Sequence, residues 1–142
     1  MKSIWFKNDV DLEELQSLSS GTMAEHLEMK WEEAGNDYLR MSMPVTSKVK
    51  QPFGILHGGA SCALAETIGS VASNLVLDPL TQMAVGMEIN ANHVRSAEHG
   101  IVYAIAKPLH IGRTSHVWDI RISNDKNQLI CVSRLTVAIL AR

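Results

Sequence analysis

Residues 54–77, GILHGGASCALAETIGSVASNLVL, are 24 consecutive positions with one carboxylate, one histidine and no lysine or arginine. Their length and alanine content favour a helix over a strand. Apolar and small side chains go all the way round such a helix, so it should be buried over most of its surface. Asp78-Pro79 stops it, because a proline pushes the residue before it out of the helical region. The rest of the chain has to cover this helix.

Four β-like segments follow, at 82–95, 100–110, 114–124 and 128–140, rich in valine and isoleucine. The breaks between them, Glu98-His99-Gly100, Ile111-Gly112-Arg113 and Asn124-Asp125-Lys126-Asn127, are short, which predicts a largely antiparallel sheet. Ahead of the helix, 26–33 and 37–44 read as two more strands. In the second, Leu39, Met41, Met43 and Val45 alternate with Tyr38, Arg40, Ser42 and Pro44, leaving one apolar face. The turn residues Ala34-Gly35-Asn36-Asp37 join the pair as a hairpin. A short amphipathic helix opens the chain, with Val10, Leu12, Leu15 and Leu18 near helical spacing, Asp9 or Asp11 as its cap and Gly21 at its end. One sheet curled around one central helix is the economical way to bury that helix. The expected class is α+β, with residues 1–142 as a single domain.

Thirteen Lys and Arg against fifteen Asp and Glu leave a net charge of −2. That argues against a protein held to nucleic acid by bulk electrostatics, and against disorder. The opening MKSIWFKNDVDLEELQ has no long apolar run and is not a signal peptide. No stretch of 18 or more residues is free of glycine, serine and charge as a membrane helix requires. Cys62 and Cys131 form no CxxC and read as small buried hydrophobes in a reducing compartment, so the expected location is cytoplasmic. The histidines follow no metal-ligand spacing, so neither a metal nor another cofactor is expected. His26, His99 and His116 fall into no interpretable arrangement, and Trp5, Trp31 and Trp118 read as core or interface residues.

Chemistry concentrates on the central helix. Glu66 has no cation three or four residues away, and an unpaired carboxylate on an apolar helix must be protonated, hydrogen-bonded or functional. Ser70, one turn on, is placed to hydrogen-bond it. At the other end, His57-Gly58-Gly59 opens the helix, where unpartnered backbone N–H groups and the helix dipole favour an anion or a developing oxyanion. Gln51 and His57 flank this turn and are placed to hold a ligand or a water. Gly58 and Glu66 are eight residues apart, about 12 Å of helical rise. One glutamate cannot span that gap, so a site using both takes them from different subunits.

The segment QPFGILHGGASCALAETIGS resembles the signature of the hotdog-fold acyl-CoA thioesterase superfamily. It is most similar to the small bacterial branch that includes the 1,4-dihydroxy-2-naphthoyl-CoA thioesterase of menaquinone biosynthesis and the proofreading thioesterase of enterobactin biosynthesis. GMEINANHVRSA, KPLHIGRTSHVW and SRLTVAIL extend the resemblance over most of the chain. It implies a curved antiparallel sheet around one long helix, in dimers that pair into homotetramers. It implies hydrolysis of an acyl-CoA thioester, preferably aromatic, to acid and CoA. Glu66 would then be nucleophile or general base, with Gly58 N–H polarising the carbonyl. Gln51 and His57 would position substrate or water, and Ser70 would support Glu66. The family's CoA contacts carry over to Val85, Asn92, His93, Arg95 and Ser96, and to His110, Gly112, Arg113 and Thr114. Phe53, Leu56, Val71 and Met83 are candidates for the acyl pocket. The alternatives on the same scaffold are a hydroxyacyl-thioester dehydratase and a non-catalytic acyl-CoA-binding protein. Neither nucleic acid nor membrane is an expected partner.

Overall fold

In the computed structural model, which describes residues 1–142, the first helix α1 (Leu12–Leu18) starts where the Asp11 side chain accepts from the N–H groups of Glu13 and Glu14. Leu15 turns inward while Leu18 stays exposed. The helix ends at Ser19, before Gly21.

The segment 26–33 is not one strand. Met23–His26 forms a one-turn helix, α2, and strand β1 runs only over Lys30–Ala34. The reversal between them is tertiary in origin. Met29 N–H reaches back to Ala24 O at 2.9 Å, with Glu28 in the left-handed region, and this buries Met29. Strand β2 (Leu39–Pro44) pairs antiparallel with β1 across the expected turn, which Gly35 N–H closes onto Tyr38 O. Leu39, Met41 and Met43 are fully buried, as their alternation predicted.

The central helix α3 covers Gly58–Val76, four residues shorter at its start than the apolar run. Gly54 has φ +78 and its N–H bonds Gln51 O, so residues 51–54 form a turn that helical geometry cannot absorb. Strands β3 (Gln82–His93), β4 (Ile101–Ile111), β5 (Ser115–Asn124) and β6 (Leu129–Ala141) complete one six-stranded antiparallel sheet in the order β1-β2-β4-β5-β6-β3.

Leu64, Ile68 and Ala72 of α3 pack with Trp118, Ile120, Ile122, Leu135 and Val137 of the sheet, all at zero exposure. Burial goes only part of the way round the helix. Cys62, Glu66, Thr67, Ser70 and Val71 are half-exposed and Asn74 is exposed, because the sheet of one chain covers one side only. Cys131 is buried, and burial pushes its thiol up to about 11.

Strand β3 is a twelve-residue edge, paired only with β6 and running alongside α3. Asn74 pins it: its Oδ1 accepts from Ala84 N–H at 2.9 Å and its Nδ2 donates to Ala84 O at 3.3 Å.

Candidate active site

The start of α3 is capped from outside. His57 Nδ1 accepts from Gly59 N–H at 2.7 Å, which makes this imidazole the helix cap and leaves its Nε2 facing outward. Gly58 N–H has no hydrogen-bond partner. It borders a cleft of about 380 Å³ that also takes in Gln51, Ser61, His93, Arg95, Ser96 and Ile130. The His93 imidazole lies over Gly58, where an added Cβ would sit 2.8 Å from Nε2. Gln51 Oε1 accepts from Phe53 N–H, which fixes the loop in front of the helix. Five expected site residues, Gln51, Gly58, His93, Arg95 and Ser96, thus share one cleft. The cleft combines an unpaired N–H at a helix N-terminus, a guanidinium and an imidazole, and so offers donors to a carbonyl oxygen and to anions. Asn92 is exposed on β3 beside His93.

Glu66 is elsewhere. Its carboxyl crosses to β3 and lies against Gly86, at the bulge that interrupts the β3–β6 register between Gly86 and Glu88. A Cβ on Gly86 would collide with Glu66 Oε1 and lie 3.3 Å from Cδ. No protein group donates to this carboxylate, and burial raises its pKa above the ordinary carboxylate range.

The expected bond from Ser70 is not made; Ser70 uses its carbonyl to accept from Asn74, and its hydroxyl does not reach Glu66. The Glu66 carboxyl is instead carried to Gly86 on β3, and it stays near enough to Cys62 for its charge to act on that thiol. The Cys62 thiol accordingly has its pKa raised by burial and by the Glu66 charge.

His110, Gly112, Arg113 and Thr114 form the tip of the β4–β5 hairpin, with the His110 ring against Gly112. Val85 joins them, since Val85 pairs with Ala138 and Ala138 with Ser115. His93 instead pairs with Cys131, seven residues away along β6. At about 3.3 Å per residue, the two groups of expected CoA contacts are about 23 Å apart in one chain. Of the four acyl-pocket candidates, Phe53 is exposed on its loop, Leu56 lines the Gly58 cleft, and Val71 on α3 and Met83 on β3 are half-buried. No group of three or more His, Cys, Asp and Glu can hold a metal ion, and no helix is long and apolar enough to cross a membrane.

Sequence reasoning missed Gly86 and Asn74. The signal for Gly86 was present, because a glycine inside a strand pattern marks a bulge or a close approach.

Residues 53–131 match the family model of the thioesterase superfamily. The chain belongs to the thioesterase superfamily. Its curved sheet around α3 is the hotdog fold, and membership makes it a thioester hydrolase. A relative from Escherichia coli K12 named 1,4-dihydroxy-2-naphthoyl-CoA hydrolase is 52% identical over 137 residues, covering 96% of this chain and 99% of its own. The crystal structure of a mutant thioesterase from Pseudomonas aeruginosa superposes with TM-score 0.97 at 44% identity, over 99% of this chain and 100% of that one. Two crystal structures of a Staphylococcus aureus thioesterase, 50% identical, give TM-scores of 0.82 and 0.80 over 84% and 82% of this chain and 99% and 97% of that one. One carries a glutamate replaced by alanine and the other a glutamine replaced by alanine, at positions fifteen residues apart.

Proposed function

We propose that this thioesterase hydrolyses an aryl-CoA thioester, with 1,4-dihydroxy-2-naphthoyl-CoA as the first candidate substrate, in a site that two copies of the chain build together. The observation that carries this reading is the separation of Gly58 from Glu66. They lie about 12 Å apart along one helix, one bordering a cleft and the other against Gly86 on the edge strand.

A second copy paired antiparallel along the free edge of β3 reverses the strand. The His93 end of one copy then meets the Val85 end of the other, and the two groups of CoA contacts are brought together. Exposed Val85 and Met87 on that edge favour such cover. In this site Gly58 N–H and the α3 dipole of one copy stabilise the oxygen of the thioester carbonyl as charge develops on it. Glu66 of the other copy attacks the carbonyl carbon and the thiolate of CoA leaves, after which water hydrolyses the acyl-Glu66 anhydride to the acid; or Glu66 removes a proton from the water that attacks, and the thiolate leaves directly. Its position without a competing donor keeps the carboxylate reactive. Gln51 holds water or substrate in front of Gly58. Gln51 and Glu66 are fifteen residues apart, the interval between the two positions replaced in the staphylococcal enzyme. His93, Arg95 and Ser96 of one copy and His110, Gly112, Arg113 and Thr114 of the other take the CoA moiety, and dimers pair into a tetramer.

Thiol release from 1,4-dihydroxy-2-naphthoyl-CoA, benzoyl-CoA and a series of alkanoyl-CoA thioesters tests the substrate, with kcat/KM highest for the aryl compounds. Sedimentation tests the assembly. A fully active monomer, or near-normal turnover by Glu66→Ala, would overturn the mechanism. Hydration of a crotonyl thioester without thiol release would overturn the reaction class.

A further inference from the structure

Beneath the β4–β5 hairpin lies a buried polar link that the thioesterase mechanism leaves unused. Ser73 of α3, His116 at the start of β5 and Trp118 two residues on are 0%, 1% and 0% exposed. Trp118 Nε1–H donates to Ser73 Oγ at 2.6 Å, and His116 Nδ1 lies 3.2 Å from the same oxygen. An indole can only donate, so the single hydroxyl proton of Ser73 is free for His116 Nδ1. That assignment requires a neutral imidazole with its proton on Nε2. Burial and the neighbouring His110 hold the His116 pKa below its ordinary value, in keeping with it.

Trp118 is itself fixed from behind. It stacks on Trp5 at 6.4 Å between ring centroids with planes 6° apart, and Trp5 Nε1–H bonds Gly35 O at 2.7 Å. His116 pairs with Ile111, directly at the base of the turn that Gly112 N–H closes onto Ser115 O. The hairpin is thus tied to the sheet by main-chain bonds and to α3 by this side-chain link.

We infer that Ser73 and His116 are positioning residues that hold the 110–114 turn at a fixed height above α3, so that its side chains meet the nucleotide end of CoA. The inference rests on the proposed assignment of that turn to CoA. Ser73→Ala leaves the buried Trp118 N–H and the imidazole without a partner, and His116→Phe leaves the Ser73 hydroxyl proton without its acceptor; the hairpin relieves either by shifting relative to α3. Displacements near 1 Å cost as much as two orders of magnitude where geometry is used.

The experiment is calorimetric titration of CoA into wild type, Ser73→Ala, His116→Phe and His116→Gln. It is paired with turnover of one aryl group carried on CoA and on N-acetylcysteamine, a thiol that lacks the nucleotide. The expected result is about tenfold weaker CoA binding in Ser73→Ala and His116→Phe. Turnover of the short thioester stays within about twofold of wild type, and His116→Gln, whose amide can accept from Ser73, restores CoA affinity. If Ser73→Ala does not fold, His116→Phe carries the same test, because its ring fills the imidazole's volume. Unchanged CoA affinity in a folded variant overturns the inference, as does a parallel loss on both thioesters. Wild type that binds CoA but releases no thiol overturns the proposed reaction instead, and leaves the affinity comparison to decide the positioning role.

Discussion

Replacing Gly86 by alanine should separate activity from stability. The backbone of Gly86 is outside the left-handed region, so an L side chain fits there without strain, and a glycine within a strand is itself unfavourable by about 0.5–1 kcal/mol relative to alanine. The obstacle is a single side-chain end. The new Cβ would overlap Glu66 Oε1 and approach Cδ to 3.3 Å and Oε2 to 3.9 Å. A glutamate on a half-exposed helix face relieves this by rotating about its own bonds, which moves the carboxyl by about 1 Å or more and leaves the core untouched. Misplacing a reacting group by that much costs about 10²-fold in rate. The fold loses little, so Tm should change by less than about 4 °C, the shift expected for 1 kcal/mol in a domain of this size. Release of thiol from benzoyl-CoA gives kcat and KM, and scanning calorimetry gives Tm. The expected outcome is kcat down about a hundredfold, KM little changed and Tm nearly constant. A variant with kcat within twofold of wild type would show that the Glu66–Gly86 contact does not set the position of a carboxylate that reacts, as proposed for Glu66. Equal losses in kcat and in Tm would show that Gly86 serves packing.

Glu66→Gln should lower kcat by about 10²–10⁴-fold in the same assay, with the circular dichroism spectrum unchanged. Because burial raises the Glu66 pKa, the native chain binds a proton that the unfolded chain has already released. Its contribution to stability is therefore full below the ordinary carboxylate range and is lost as pH rises through the raised value. Glu66→Gln should accordingly melt above wild type at neutral pH, with the gap closing in acid. The acid limb of kcat/KM should lie above about 4.3, where an ordinary glutamate titrates, and should fall toward it in Gly86→Ala as the carboxyl swings into water. Asn74→Ala removes both bonds to Ala84 and should cost about 1–2 kcal/mol in urea unfolding. Leu64→Ala, at zero exposure against the sheet, should cost about 2–5 kcal/mol.

The parts of this molecule legible from sequence are those governed by local period. The charge-free run marked α3, and alternation through Leu39, Met41 and Met43 marked β2, because each depends on residues within a turn or two of one another. The reading failed where distant chain decides local geometry. In 26–33, Leu27, Met29 and Trp31 alternate as in a strand, yet Met29 is buried by folding back on Ala24 and the strand begins only at Lys30. Helical spacing alone puts Ser70 beside Glu66, but the Glu66 carboxyl lies against Gly86 of β3, a contact that no local spacing shows. The spacing of Gly58 and Glu66 was readable as a number along one helix. What faces each of them was not, because that depends on β3 lying along α3, a pairing between segments joined only through the Asp78-Pro79 turn.

That pairing also limits how the edge of β3 is used. Asn74 occupies both the N–H and the C=O of Ala84, the two main-chain groups an incoming strand would need there. Both bonds turn toward α3 although Ala84 is paired with Ile139 on its other side, so they lie on the open edge of the sheet. On the proposed two-copy reading, pairing along this edge would therefore stop at Ala84 and be confined to the stretch from Gly86 toward His93. This stretch has the carboxylate of Glu66 at one end and the cleft of Gly58 at the other. Two copies related by a two-fold axis can slide along it only until one copy's Ala84 limit is reached, and that limit acts on both copies at once. On the two-copy reading, a single amide on α3 thus does two things. It holds β3 close enough for Gly86 to touch Glu66, and it restricts the register in which the partner's Gly58 can be presented to that carboxylate.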